Sequence, residues 1–291
     1  MEADLSGQPD PPASGGTTAG GTLFVVSTPI GNLGDFSYRG VETLRTVAAV
    51  LAEDTRHTVT LLRRYELRTP LVAYHEHNEA KTTPALVARL LAGESLALVS
   101  DAGTPLLSDP GARLVRAAVE AGVRVSPVPG ASALLSALVT AGVSLDRFTF
   151  YGFLARKGAE RRAAVDDIAN LRHAAVLYEA PARVGDTLAE LARAGAAARA
   201  VAVARELTKQ FEEIRRGTVG ELAAYYAESP PRGEVVIVVA GAEQPAGASE
   251  DVLRARAAEL RVEGRSARDV AAVLVAELGA PRNVAYRMAH E

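Results

Sequence analysis

One repeated pattern restricts this chain more than any other. A short apolar run is closed by a loop rich in Gly, Pro and Asp, and a segment of helical periodicity follows. Residues 22–26 (T-L-F-V-V) end at S-T-P-I-G-N-L, 49–52 (A-V-L-A) at E-D-T-R, and 71–74 (L-V-A-Y) at H-E-H-N-E. Residues 96–99 (L-A-L-V) end at S-D-A-G-T-P-L-L-S-D-P-G, and 123–128 end at P-G-A-S-A. Runs this short and this apolar are strands buried on both faces, and strands alternating with helices build parallel sheets. The fold class is therefore α/β.

The helices between these runs are legible in part. One is expected near 37–48. Another is expected over 82–92, with Pro84 in its first turn and Gly93 as its stop. Asp109-Pro110 reads as a cap followed by proline at the first helical position of the next. A further helix runs from P-G-A-S-A to about residue 141. After Gly142 a second series begins, with strands at 148–153, 174–180, 200–207 and 234–241. The chain thus divides into α/β domains over 22–144 and 145–243, both expected to hold parallel strands. A linker, E-Q-P-A-G-A-S, leads to a helical extension over 250–291, in which Ser266-Ala267-Arg268-Asp269 fits a capping-box start.

Residues 1–21 carry three acids, no base and no apolar core, which reads as a disordered tail and not as a secretory signal. No apolar run approaches the ~18–20 residues of a membrane span. Cysteine is absent, which removes thiolate chemistry, disulfides and Cys-based zinc sites, and a cytoplasmic location fits. The formal net charge is −3, all of it accounted for by Glu2, Asp4 and Asp10 of the tail. A nucleic-acid partner would need local basic patches.

Open parallel sheets bind ligands beyond the carboxyl ends of their strands, and this chain's unusual loops all fall there. They are residues 28–33, 100–105, 128–133, 178–181 and 205–209. Glycine permits close backbone approach and proline fixes a loop at low entropy cost, so five such loops read as a rigid rim around a small molecule. Each alone would be an ordinary turn. Neither G-x-G-x-x-G after the first strand, nor a P-loop, nor G-x-S-x-G is present. His75, Glu76, His77 and Glu79 lack H-E-x-x-H spacing and a third ligand, so no metal is expected.

Taken in order, T-P-I-G-N-L, A-E-D-T-R-H-T, H-E-H-N-E, V-S-D-A-G-T-P-L-L-S-D-P-G, P-G-A-S-A, Y-G-F-L, Y-E-A-P-A-R and A-R-E-L-T-K-Q-F-E-E resemble the tetrapyrrole methylases, the class III methyltransferases. The resemblance covers about Gly21 to Ala242. A-E-D-T-R-H-T and A-R-E-L-T-K with F-E-E are its specific pieces, and they are similar to the branch that methylates the 2′-hydroxyl of a cytidine in 16S ribosomal RNA. It implies two αβα domains with a cleft between them, S-adenosylmethionine in that cleft, a homodimer, no metal, and 16S rRNA or the assembled small subunit as partner. By position it implies donor contacts from Pro29, Ile30, Gly31, Asp101, Ala102, Gly103, Thr104, Ser132, Ala133, Leu154, Glu179 and Ala180.

A ribose hydroxyl is a weak acid, so its methylation needs a base or a nearby cation. Asp54, Glu206 and Lys209 are the candidate catalytic residues. Lys209 would act as base if burial near Arg205 lowered its pKa, whereas a structural Glu206–Lys209 ion pair is the plainer alternative. Asp101 is assigned to the donor and Asp109 to its helix cap. Arg56, Arg156, Lys157, Arg161 and Arg162 are the candidate RNA contacts, with Arg215 and Arg216 later in the same half. Two other readings stand beside this one. The same fold could act on a tetrapyrrole or a protein. Alternatively, the C-terminal helices around Gly279 could form a helix-turn-helix DNA-binding regulator, though residues 250–291 balance seven Arg against seven acids.

Overall fold

The computed structural model of the protein describes residues 20–242 and 248–291; the tail over 1–19 and the linker stretch over 243–247 lie outside the described residues. The first half holds strands β1 (Thr22–Val26), β2 (Ala49–Ala52), β3 (Leu71–Ala73), β4 (Leu96–Val99) and β5 (Arg124–Val128), with helices α1 (Tyr38–Thr46), α2 (Thr55–Arg64), α3 (Glu79–Leu91), α4 (Ala112–Glu120) and α5 (Ala133–Ala141). The strands pair in the order β3-β2-β4-β1-β5, all parallel. β4 shows why its run is apolar throughout. Leu96 and Leu98 enter a core with Leu86, Leu90 and Leu114, while Ala97 and Val99 enter the opposite core with Leu44, Leu61 and Val128.

Two helix starts differ from the sequence expectation. α3 begins at Glu79, so Pro84 lies inside it, exposed to solvent. The helix starts early because Asn78 Oδ1 accepts from His75 N–H at 2.9 Å and its amide donates to the Ala73 carbonyl, fixing the turn that leads in. α4 begins at Ala112 with Gly111 as its cap, not at Asp109-Pro110. Leu106 and Ser108 in the preceding loop have positive φ, so the chain winds through an irregular turn before helix can form.

The second half holds β6 (Phe148–Phe153), β7 (Ala174–Glu179), β8 (Ala200–Arg205), β9 (Glu213–Thr218) and β10 (Val235–Val239), with α6 (Ala159–Asn170), α7 (Val184–Leu191) and α8 (Val219–Glu228). Its order is β6-β7-β10-β8-β9, and the expectation of a parallel sheet fails here. β10 runs antiparallel to both β7 and β8, and β9 antiparallel to β8. The connection from β8 to β9 is too short for a parallel crossover, which takes about a dozen residues or more. β9 itself, E-I-R-R-G-T, lacks an apolar run because it lies at the sheet edge, where charge is tolerated.

α5 joins the halves. Its Leu134, Ala137, Leu138 and Ala141 pack with Val176, Ala202, Ala204, Val236 and Val238 of the second sheet. The helix that follows the last strand of one sheet therefore covers a face of the other. α6, α7 and α8 cover the opposite face around Ile168, Leu188 and Leu222. The C-terminal residues form α9 (Glu250–Val262), α10 (Ala267–Leu278) and α11 (Arg282–His290), with a core of their own built on Leu253, Leu260, Val270, Leu274 and Met288. Ser266 caps α10 by accepting from Asp269 N–H at 3.2 Å.

Candidate active site in the interdomain cleft

The loops at the carboxyl ends of β1, β4 and β5 are tied to one another before they meet any ligand. Thr28 N–H donates to the Gly103 carbonyl at 2.8 Å and Gly103 N–H to the Thr28 carbonyl at 3.0 Å. The Thr104 hydroxyl lies 2.9 Å from that of Ser27 and donates to the Ala131 carbonyl at 3.2 Å. Ser132 accepts from Leu135 N–H and caps α5. Asp101 Oδ1 accepts from Asp54 N–H at 3.1 Å, bringing the end of β2 into the same assembly.

A cavity of about 400 Å³ opens between this assembly and the second sheet. Of the residues that the sequence marked for a ligand, Ile30, Asp101, Ala102, Gly103, Thr104, Ser132, Ala133, Glu179 and Ala180 line it. Three do not. Pro29 lines a small neighbouring pocket with Leu33, His57 and Asp101. Gly31 is exposed and abuts the R-E-L-T-K loop instead: a Cβ built there would stand 2.3 Å from Lys209 Cγ and 3.0 Å from the Leu207 carbonyl oxygen. Leu154 turns into the second-half core with Val165 and Ile168.

Glu179 reaches the cavity wall but keeps its carboxylate for the fold. It is 2% exposed. Oε2 accepts from the Thr187 hydroxyl at 2.6 Å and Oε1 from Ala180 N–H at 2.9 Å. Arg161 and Arg183 approach it at 3.8 and 3.4 Å. Arg161 is therefore not an RNA contact: it is 5% exposed and donates to Glu190 and Thr187, each at 2.8 Å, and to the Ala155 carbonyl at 3.2 Å. The alternation of charge along α6 carries no sign that one arginine points inward. Arg156, Lys157 and Arg162 are exposed. Arg56 is exposed as well, although it pairs with Asp54 at 2.6 Å. Arg215 lies over the Tyr225 ring at 4.0 Å and bonds Glu213, and Arg216 donates to the Thr140 carbonyl, so both are engaged within the fold.

The candidate catalytic trio is also rearranged. Asp54 caps α2, and hydrogen bonds from the Arg56 side chain and backbone hold its carboxyl down to about 2, too acidic for a useful base. Lys209 and Glu206 form the plain ion pair. Lys209 Nζ donates to Glu206 Oε1 at 2.8 Å and to Glu234 Oε2 at 3.2 Å. Burial opposes the charge on Lys209, but the two carboxylates outweigh it and its pKa is raised, the reverse of what a lysine base requires. Glu206 is lowered, first by the hydrogen bond from Lys209 and then by that from Glu234 N–H.

In their place the cleft presents two carboxyls that the sequence did not mark for catalysis or for the donor. Asp109 lines the cavity beside Asp101 and is pushed up to about 6, by burial above all and by the charge of Asp101, against a lowering hydrogen bond from Ser100. Glu53 lines it too and is raised by burial and by Asp101, Asp109 and Asp54. The sign for Glu53 was its place as the first polar residue after a buried strand. Asp109 was hidden by its good fit to a helix cap. Gly233, Glu234, Val235 and Val236 line the cavity because β10 runs antiparallel and brings its amino end there. Tyr178 and Phe153 complete an apolar wall. Among the described residues no group of three or more His, Cys, Asp or Glu converges as a metal site, and no helix is long and apolar enough to cross a membrane.

Residues 22–223 match the family described as Tetrapyrrole (Corrin/Porphyrin) Methylases. The chain is 44% identical over 273 residues to the ribosomal RNA small subunit methyltransferase I of Synechocystis sp., covering 93% of this chain and 98% of that protein. It is 46% identical over 269 residues to the protein of the same name from Xylella fastidiosa, covering 91% and 98%. Among solved structures, uroporphyrin-III C-methyl transferase from Thermus thermophilus complexed with S-adenyl homocysteine superposes with a TM-score of 0.55 at 18% identity, covering 76% of this chain and 97% of that one. Diphthine synthase superposes with a TM-score of 0.57 at 15% identity, covering 76% and 89%. These last two likenesses speak for the fold.

Proposed function

The chain belongs to the tetrapyrrole (corrin/porphyrin) methylase family, and we propose that it is the S-adenosylmethionine-dependent methyltransferase that modifies a cytidine 2′-hydroxyl in 16S rRNA. The observation that supports the RNA branch is full-length similarity at 44–46% identity to relatives named for the small-subunit rRNA. The helix-turn-helix regulator gains no support from the C-terminal module, where Arg254, Arg256 and Arg287 are paired with acids of the same module.

The cleft suits the donor. A cavity of about 400 Å³ is of the size that holds a small organic ligand. It sets Glu53, Asp101 and Asp109 against a wall that includes Ile30, Tyr178 and Val236, matching a molecule with a cationic end and an aromatic one. When bound, S-adenosylmethionine supplies an electrophilic methyl on a sulfonium, and its sulfide departs neutral. The chain has three tasks. Asp101 and its neighbours attract the cation and orient it. The tied loops hold the site without reorganisation. The Asp109 carboxylate takes the proton of the acceptor hydroxyl. Its pKa of about 6 leaves it ionised at neutral pH, yet basic enough to accept. Arg156, Lys157, Arg162 and Arg56 hold RNA phosphates at the surface. A homodimer in the cytoplasm, acting on 16S rRNA or the assembled small subunit, completes the reading.

The test is transfer from labelled S-adenosylmethionine to unmodified small subunits, with the RNA digested to nucleosides for mass analysis. The expected product is 2′-O-methylcytidine. Label absent from RNA but present in a tetrapyrrole or protein acceptor would replace the RNA reading with the second one.

A further inference from the structure

Phe153 stands on the wrong face for an unbroken strand. β6 pairs with β7 through Phe148–Ala174, Thr149–Ala175 and Phe150–Val176, and then the register slips so that Phe153 lies opposite Tyr178. Three residues of β6 thus span two of β7, which is a β-bulge. Gly152 sits within it at φ 60°, in the left-handed region. Without the bulge, Phe153 would share a face with Tyr151, which packs against the core of Val165 and Leu177. With it, Phe153 joins Phe150 against Tyr178, their ring centroids 5.5 and 5.0 Å from the Tyr178 centroid. The ring lines the cleft and is still 59% exposed.

A large aromatic turned out of a core and left in water forgoes the burial that a core site would provide. What surrounds it suggests the compensation. On one side is the cavity with Glu53, Asp101 and Asp109, a carboxylate surface that repels phosphate. Along the chain on the other side come Arg156 and Lys157, exposed and without an ion-pair partner among the described residues. Nucleic acid drawn to those cations can approach the carboxylates only through a neutral contact. Unpaired bases are recognised in this way, stacked on aromatic rings.

We infer that Phe153 is the platform on which the base of the acceptor nucleotide stacks, so that its ribose enters the cleft. This rests on the RNA methyltransferase reading above. The bulge at Gly152 exists to aim that ring.

The protein contains no tryptophan, so Phe153→Trp places its single tryptophan at the site, excited selectively over its tyrosines. The variant is titrated separately with unmodified small subunits and with S-adenosylmethionine. In parallel, Phe153→Ala is assayed for transfer and, by calorimetry, for donor affinity. The expected results are quenching of the tryptophan by small subunits, and an increase in KM for RNA of about tenfold in Phe153→Ala, with donor affinity within about twofold of wild type. Wild-type transfer accompanied by a tryptophan that ignores RNA and an unchanged KM in Phe153→Ala would overturn the platform alone. Loss of donor affinity in Phe153→Ala with RNA KM unchanged would reassign the ring to the donor. Failure of the wild type to methylate RNA would bring down the function reading and the platform with it.

Discussion

The Asp101 carboxylate accepts from the backbone N–H of Asp54 at 3.1 Å, so a residue that lines the cleft also holds the end of β4 to the start of α2. One oxygen has a structural duty, and in the proposed reading the charge serves the donor. Asp101→Asn keeps an acceptor for Asp54 N–H and loses the charge, whereas Asp101→Ala loses both. We expect Asp101→Asn to melt near the wild type and to bind the donor about tenfold more weakly. Asp101→Ala should bind equally weakly and lose about 1 kcal/mol of stability as well. Calorimetric titration and thermal melts of both variants separate the two duties.

Asp109 links the cleft to pH. Its folded pKa, about 6, stands above its ordinary value of 3.8. Below about pH 4 the group is protonated in both the folded and unfolded states and costs nothing. As pH rises through that window towards 6, the unfolded chain gives up the proton first, so the native state loses stability, on the order of 1–3 kcal/mol by neutral pH. Asp109→Asn should therefore raise Tm at pH 7–8 and leave it unchanged near pH 4. The same variant should lose most transfer activity, and wild-type transfer should fall as pH drops below about 6. A melt series against pH, run beside the rate profile, checks both.

Lys209 is a strut in this structure. Lys209→Met leaves Glu206 and Glu234 without their common partner, and about 1 kcal/mol of stability should go with it. Because Lys209 is already protonated across the working range, the pH–rate profile of the variant should keep its midpoint. A displaced midpoint in transfer assays would return Lys209 to the chemistry.

Arg161 and its neighbours in sequence should behave oppositely. Arg161→Ala removes buried hydrogen bonds to Glu190, Thr187 and the Ala155 carbonyl and leaves Glu179 to Arg183, Thr187 and Ala180 N–H, which should cost about 2–3 kcal/mol, read as a drop in Tm. Arg156→Ala and Lys157→Ala should leave Tm nearly unchanged and weaken RNA binding, each reducing the salt slope by about 1. Binding measured across a salt series, together with melts, tests the division between an arginine of the fold and cations of the surface.

Much of this was legible from local pattern. The apolar runs at 22–26, 49–52 and 96–99 are strands because a short run flanked by turn residues has few other ways to bury itself. The ligand loops lie at strand ends for the same local reason, and Ile30, Asp101 and Gly103 line the cavity that this placement implies. Other positions looked right and were not. Asp109-Pro110 has the chemistry of a helix start, yet the left-handed residues Leu106 and Ser108 delay the helix to Ala112 and leave the carboxyl in the cleft.

Strand sites, loop positions and family motifs thus follow from residues close together in the chain, whose φ/ψ preferences and periodicity act over a few positions. The direction of β10, the burial of Arg161, the raised pKa of Lys209 and the turn of Phe153 towards Tyr178 were set only by the folded whole. Each depends on a partner far away in sequence: β7 and β8 for β10, Glu179 and Glu190 for Arg161, Glu234 for Lys209, and Tyr178 for Phe153. Burial and charge are properties of what surrounds a group, and no local window contains those surroundings.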